Sequence, residues 1–174
     1  MIIDIYGLAP NSITDGPGLR FGVFCQGCSH ACPGCHNPDS HPYGTGDKYG
    51  TKDIYDMIKK DPLVKGVTFS GGEPFDQRAA FGELAEMLKA DGYEIAAYSG
   101  YTFEQLISDK NSDKYKLLTL IDVLIDGPFV LAQRSLSAGF RGSLNQRVLN
   151  VPASLAAERA VEEISPRWCP TSNV

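Results

Sequence analysis

The chain has 174 residues, of which 43% are hydrophobic and 21% charged, and its formal net charge is −5. This composition excludes a disordered chain, a coiled coil and a collagen-like repeat, and the length suits a single domain over residues 1–174. The acidic balance argues against nucleic acid or an anionic membrane as a partner. No secretory signal precedes Arg20, the first basic residue, and the longest apolar stretch (residues 117–132) is too short to cross a bilayer. We therefore expect a soluble cytoplasmic protein.

Short apolar runs alternate with helical periodicity along the chain. They predict strands over residues 2–6, 20–25, 66–70, 94–98, 121–125 and 147–151 and helices over 51–60, 76–90, 102–110 and 153–164. Thr102 and Gln105 predict a capping box at the third helix. Residues 165–174 are expected to form a tail. Strands that alternate with helices through short connections indicate an α/β fold with a parallel sheet.

Polar or glycine-rich segments follow four of the predicted strands. In chain order these segments are the cysteine loop (25–35), SGGEP (70–74), SGY (99–101) and DGPF (126–129). Ligands of barrels and open α/β sheets bind at the carboxyl ends of the strands. The four segments are therefore expected to form one site.

Four of the five cysteines lie between positions 25 and 35 with the spacing C-x2-C-x3-C-x2-C. In a reducing compartment this crowding indicates metal rather than disulfides, and the three-residue linker is shorter than zinc knuckles use, which favours an iron–sulfur cluster. Three ligands, Cys28, Cys32 and Cys35, would leave one iron of a four-iron cube open, as catalysis requires. Cys25 is then expected to be a packed, inert thiol. Cys169 in the tail is expected to be free.

The SGGEP segment has a physical interpretation of its own. Gly71 and Gly72 would let a ligand approach the backbone closely, and Glu73 offers an anionic acceptor for an ammonium group. Pro74 can begin the next helix. The segment is not a phosphate loop, because no Gly-Lys-Ser/Thr follows it.

Two further sets of polar residues allow more than one interpretation. All three histidines lie in the cysteine-loop region, where solvated side chains are common, and His36 is favoured for function because it follows Cys35 directly. Asp122 and Asp126 flank one strand at a spacing that sends both side chains to the same face. They are either paired carboxylates in the site, or Asp126 simply begins the Asp-Gly-Pro turn.

The CxxxCxxC spacing resembles the signature of radical S-adenosylmethionine (SAM) enzymes, and SGGEP resembles their glycine-rich SAM motif. The segments that resemble glycyl-radical-enzyme activases are DGPGLR (15–20), QGC (26–28) and CHNP (35–38). SGY, DVLIDGPFV (122–130) and RGSLNQ (141–146) resemble the short activases whose partner is an anaerobic ribonucleoside-triphosphate reductase. These segments extend over most of the chain.

The resemblance implies a single radical SAM domain folded as a partial, open (β/α)6 barrel. It implies a [4Fe–4S] cluster on Cys28, Cys32 and Cys35 whose open iron chelates SAM. A flavodoxin- or ferredoxin-type reductant would supply the electron, and a 5′-deoxyadenosyl radical would remove hydrogen from a glycine of the reductase. The implied catalytic residues are Asp15 and Arg20, and the implied SAM contacts are Gly34, His36, Gly71, Gly72, Glu73, Ser99 and Asp126. Gly34 stands where many relatives carry an aromatic residue, so the adenine contact would come from elsewhere, with His36 as the candidate.

Two other functions remain open at this point: a radical SAM enzyme for a small molecule, such as a deazaguanine synthase, and a ferredoxin-like electron carrier. The carrier would leave SGGEP unexplained, and the chain has little length for a separate substrate pocket. Because six strand–helix units would leave no segment to cover the site, the partner is expected to supply the missing wall. Residues 140–147, with Arg141 and Arg147, form either a docking rim or an ordinary surface turn.

Overall fold

The computed structural model describes residues 1–170. The strands are β1 (Ile2–Ser12), β2 (Arg20–Cys25), β3 (Asp47–Gly50), β4 (Gly66–Gly71), β5 (Glu94–Tyr98), β6 (Val123–Asp126) and β7 (Arg147–Asn150). The helices are α1 (Thr51–Lys59), α2 (Arg78–Ala90), α3 (Phe103–Ile107), α4 (Asp113–Leu118) and α5 (Val151–Ala157). The strands form one sheet in the order β3-β1-β2-β4-β5-β6-β7. Over this range no helix is long and apolar enough to cross a membrane.

The structure confirms the α/β class and the open partial barrel, because the sheet does not close on itself. The prediction of six parallel strands was wrong: β2, β4, β5 and β6 are parallel, whereas β1, β3 and β7 pair antiparallel. Residues 13–19 connect β1 to β2 and are too few for a parallel crossover.

β3 and α4 were not predicted, and β3 is a polar edge strand without apolar alternation. α5 ends at Ala157, well before residue 164, because Glu158 adopts a left-handed conformation (φ 53°). The capping box of Thr102 and Gln105 is present.

The sheet has a face covered by helices and a concave face. The helix-covered face holds the main core, which includes Val23, Phe69 and Leu124. The concave face carries a smaller apolar cluster that includes Val123 and Ile125. Alternation along each strand separates the two sets, so neighbouring residues of β6 serve different faces.

The C-terminal segment, residues 165–170, packs against the concave face near the start of β2. Trp168 is 2% exposed, and its ring lies 5.1 Å from the guanidinium carbon of Arg20 and 5.5 Å from the ring of Phe140. Residues 165–170 are therefore part of the folded structure rather than a tail, and residues 171–174 lie outside the described range. Trp168 therefore packs in the interior, between Arg20 and Phe140.

The connection between β6 and β7, residues 127–146, folds over the concave face. Arg134 and Ser143 form an antiparallel bridge within it, and the hydroxyl of Tyr98 donates to the Phe140 carbonyl at 2.6 Å. The expectation that the chain has no segment left to cover the site was therefore wrong. The sequence analysis predicted no helix or strand between residues 125 and 147, and this is the segment that covers the site.

Candidate cofactor site

A cavity of about 690 Å³ lies at the carboxyl ends of the four parallel strands. All four segments that follow predicted strands contribute to its wall, represented by Cys28, Gly72, Ser99 and Phe129. The connection 127–146 closes it on the concave side. Its volume lies within the range of about 300–1,000 Å³ that small-molecule sites use.

Three of the four clustered cysteines, Cys28, Cys32 and Cys35, line this cavity and are half-buried. Cys25 is fully buried, belongs to the core beneath the helices, and does not reach the cavity wall. Burial raises the pKa of the Cys25 thiol well above its ordinary value, with Glu73 adding to the effect. Cys169 is exposed and its thiol donates to the Glu163 carbonyl. The structure therefore places the three expected ligands at the cavity and the other two cysteines outside it.

The thiols of the described residues are not arranged around a single metal ion. In the part of the chain that the structure describes, no three His, Cys, Asp or Glu side chains meet closely enough to hold one metal ion. One zinc ion would draw its sulfurs to within about 3.8 Å of each other, since each Zn–S bond is about 2.3 Å long. Burial raises the pKa of Cys28, so metal coordination is what would keep it a thiolate. The backbone N–H of Asn37 donates to the sulfur of Cys35 at 3.4 Å, a contact that tunes cluster thiolates.

The end of β4 holds the cysteine loop through the backbone. The N–H of Gly72 donates to the Cys25 carbonyl, and the N–H of Glu73 donates to the Gly27 carbonyl, both at 2.8 Å. A Cβ on Gly72 would lie 2.2 Å from the Gly27 oxygen, and one on Gly71 would lie 2.6 Å from the Cys25 nitrogen. Close approach does explain these glycines, because the cysteine loop fills the positions that their Cβ atoms would take, and both residues also line the cavity.

Glu73 is completely buried and joins three parts of the site. Its carboxylate accepts hydrogen bonds from the Ser99 hydroxyl (3.0 Å), the Gly100 N–H (2.9 Å) and the Phe75 N–H (3.0 Å). His30 completes the set, with Nε2 2.9 Å from the same carboxylate. The structure thus corrects the expectation of a free acceptor for an ammonium group, because protein donors already occupy both oxygens.

His30 is a residue of the site that the sequence analysis missed. The hydrogen bond to Glu73 raises its pKa above the ordinary value, and its side chain is 18% exposed at the cavity wall. One signal could have identified it. A buried carboxylate needs a cationic partner, and SGGEP contains none, whereas the cysteine loop carries a histidine between two predicted ligands.

Arg20 does not reach the cavity. It begins β2, at the opposite end of the parallel strands, and is 1% exposed. Its guanidinium donates to the Thr68 hydroxyl (2.8 Å), the Val67 carbonyl (3.0 Å) and the Glu94 carboxylate (2.7 Å). These contacts correct the expected catalytic role, because Arg20 and Glu94 form the polar floor of the concave face.

Asp126 also lies outside the cavity. It faces the helices, is 1% exposed, and pairs with Arg147 while accepting from the Phe103 N–H at 2.8 Å. Asp122 shares that face, as alternation predicted, but binds Lys89 and the Ile95 N–H. The interpretation as paired carboxylates in the site and the SAM contact expected of Asp126 are therefore both corrected. Alternation correctly placed the two aspartates on one face of the sheet, but helices cover that face and it does not line the cavity.

The remaining predicted residues divide between the cavity and its surroundings. Asp15, His36 and Ser99 line the cavity. Gly34 does not, and a Cβ at this position would meet Leu131 at 2.8 Å. The His36 ring lies 5.1 Å from the ring of Phe129, which also lines the cavity and provides the flat apolar surface that an adenine requires. Phe129 was within the DGPF segment but was not singled out.

The two arginines expected at a docking rim are occupied within the chain. Arg141 donates to the carbonyls of Ala138 and Gln146, and Arg147 pairs with Asp126 and Glu104. Their contacts match the alternative of an ordinary surface turn.

Comparison with known proteins agrees with this cavity of three thiols. A family model described as a 4Fe-4S single cluster domain matches residues 14–149. The solved structure of QueE from Escherichia coli matches with a TM-score of 0.50 at 16% identity, over 59% of this chain and 54% of QueE, and so shares the fold. The class is an iron–sulfur protein with one four-iron cluster on an open α/β sheet.

Curated relatives narrow the class further. The anaerobic ribonucleoside-triphosphate reductase-activating protein of Escherichia coli K12 is 34% identical over 80% of this chain and 93% of the relative. That of Vibrio cholerae is 34% identical over 79% and 91%. The pyruvate formate-lyase-activating enzyme of Listeria monocytogenes is 40% identical over 51% of this chain and 38% of the enzyme. The chain belongs to the family of anaerobic ribonucleoside-triphosphate reductase-activating proteins.

Proposed function

We propose that this chain is a radical SAM activase that generates a glycyl radical on an anaerobic ribonucleoside-triphosphate reductase. The observation that carries the proposal is the cavity wall, where three thiols, and not the fourth clustered one, meet the carboxyl ends of four parallel strands. The relatives named as reductase-activating proteins match over about nine-tenths of their length. The likeness to QueE concerns the fold alone and does not favour a small-molecule substrate.

In this proposal Cys28, Cys32 and Cys35 hold the [4Fe–4S] cluster, which supplies the electron for the reductive cleavage of SAM. The polar groups of residues 70–72 face the same cavity and would bind the methionine end of SAM. The ring of Phe129, which packs against His36, would offer the adenine a flat apolar surface. The connection 127–146 excludes water from this side of the site. Asp15, which also lines the cavity and accepts a hydrogen bond from Ser12, remains the candidate for a catalytic role.

The partner would approach along the connection 127–146, because this wall exposes large apolar side chains. Leu131, Leu136 and Leu144 are 53%, 93% and 58% exposed. Exposed leucines beside a reaction cavity suit contact with another protein surface better than contact with solvent. The electron would come from a flavodoxin- or ferredoxin-type reductant, and the protein would work in the cytoplasm as a single radical SAM domain over residues 1–174.

The test is anaerobic reconstitution of the chain with iron and sulfide, then incubation with SAM, a reductant and the reductase. Electron paramagnetic resonance should detect a glycyl radical on the reductase. Cys28→Ala, Cys32→Ala and Cys35→Ala should each abolish cluster assembly or SAM cleavage, since each removes the only protein thiolate of one iron. Cys25→Ala is the matched control and should retain both. If Cys25→Ala loses its cluster as completely as the other variants, the three-thiolate site is wrong and an electron carrier is favoured.

A further inference from the structure

We propose that His30 is a positioning residue that fixes the cysteine loop to Glu73, so that the three thiols are arranged before a cluster binds. This inference rests on the proposed function, because it assumes that the loop is the cluster ligand. His30 lies between Cys28 and Cys32, and its Nε2 is 2.9 Å from Oε2 of Glu73. The clamp therefore acts at the centre of the loop rather than at its ends.

Glu73 links His30 to the ends of two strands. It follows β4 directly, and its carboxylate also accepts hydrogen bonds from Ser99 and Gly100, which follow β5. Within the described residues, His30 Nε2 is the one side-chain nitrogen within hydrogen-bond distance of this carboxylate. A buried carboxylate that loses a hydrogen-bond partner is costly, so Glu73 favours conformations in which His30 returns to it.

The surroundings of His30 are shaped to hold its ring. A Cβ on Gly100 would lie 2.4 Å from the imidazole, so the glycine of the SGY segment leaves the space that the ring occupies. Tyr101 packs edge-on against the ring with 4.5 Å between centroids. The space at Gly100 is a feature of a different strand end, and it supports the clamp independently of the hydrogen bond.

Ser29, the residue before His30, is held by a second set of hydrogen bonds, to Asp76. The N–H and hydroxyl of Ser29 donate to Oδ2 of Asp76 at 3.2 and 2.9 Å, and the Tyr101 hydroxyl donates to the other oxygen at 2.9 Å. Asp76 lies near the protein surface, whereas Glu73 is fully buried. The buried contact is therefore expected to provide most of the restraint, since solvent competes with the Asp76 contacts.

The test measures amide hydrogen exchange in the full chain before cluster reconstitution. In His30→Leu the amides of residues 27–36 should exchange about 10- to 100-fold faster, the factor that a charge-assisted hydrogen bond supplies. His30→Gln retains a donor and should stay close to wild type. Gly100→Ala should reproduce the effect of His30→Leu by displacing the ring. Ser108→Ala removes a hydrogen bond outside the loop, from the Ser108 hydroxyl to the Gln105 carbonyl, and should leave exchange in the loop unchanged.

The outcomes separate the clamp from the proposed reaction. Wild-type exchange of the loop in both His30→Leu and Gly100→Ala would overturn the clamp, and so would equal acceleration in Ser108→Ala. If His30→Leu does not fold, His30→Gln and Gly100→Ala decide the question by the same measurement. Because exchange is measured without SAM or a reductase, a failed glycyl-radical assay would leave this result standing.

Discussion

Substituting Gly72 with alanine tests whether this glycine exists for the cysteine loop or for a ligand. The added methyl group would lie 2.2 Å from the Gly27 oxygen and 3.1 Å from the Cys25 oxygen, both of them backbone atoms that cannot rotate away. The loop and the end of β4 must then separate. Separation stretches two hydrogen bonds of 2.8 Å, from Gly72 to Cys25 and from Glu73 to Gly27.

The loss of stability caused by Gly72→Ala follows from these contacts. Overpacking typically costs about 1–3 kcal/mol, and each weakened backbone hydrogen bond contributes about 0.5–1.5 kcal/mol. We expect Gly72→Ala to lower the free energy of unfolding by about 2–4 kcal/mol, a large part of the roughly 5–15 kcal/mol that a domain possesses. Urea unfolding of the full chain, followed by the fluorescence of its single tryptophan, Trp168, measures this directly. Cluster content after reconstitution should fall in parallel, because the loop carries the ligands.

Gly82→Ala is the matched control. Gly82 lies within α2, and a Cβ there would meet nothing within 4 Å. Because alanine favours helix over glycine by about 1 kcal/mol, this variant should be slightly more stable than wild type. If Gly72→Ala unfolds like wild type but binds SAM weakly, the reasoning from backbone approach is refuted, and the glycine serves the ligand instead.

Two further predictions concern the concave face. Trp168→Ala should lower the free energy of unfolding by about 3–5 kcal/mol, measured by circular dichroism, because a fully packed ring leaves a cavity over Arg20. Burial alone would raise the pKa of Glu94, but the hydrogen bond and charge of Arg20 hold it below its ordinary value. That contribution to stability is present above about pH 4.3 and is lost as the pH falls through the folded-state pKa. Glu94→Gln should therefore be less stable at pH 7, and its deficit should shrink below about pH 4. A constant deficit down to pH 3 would contradict this.

The sequence located the site because the informative residues are clustered in it. Four segments at strand ends were expected to meet, and they line one cavity. The separation of Cys25 from the other thiols also followed from local chemistry, since a fourth ligand would close the open iron. In both cases the inference needed only the end of a strand or the spacing along a loop. Neither required knowledge of which distant residues touch.

The errors arose where the answer depends on long-range contacts. Alternation correctly placed Asp122 and Asp126 on a common face, but the sequence does not state that helices cover that face. Arg20 belongs to a segment that resembles the family, yet it begins β2 at the end of the strand that is opposite the cavity, whereas Asp15 of the same segment lines the cavity. The contact between His30 and Glu73 joins residues 43 positions apart. Local pattern carries no information about such a pair.

The glycines of SGGEP and SGY suggest a general reason for this limit. Gly72 leaves room for the Gly27 carbonyl and Gly100 leaves room for the His30 ring, so each accommodates a part of the cysteine loop. A motif can therefore identify a cofactor site because its residues shape the ligand loop as well as line the cavity. Variants at these glycines should lose cluster assembly and, with it, SAM binding, whereas a variant at Phe129, whose ring packs against His36 at the cavity wall, should keep the cluster and lose SAM affinity alone. Iron content and SAM affinity measured on the same preparation therefore distinguish residues that build the site from residues that bind in it.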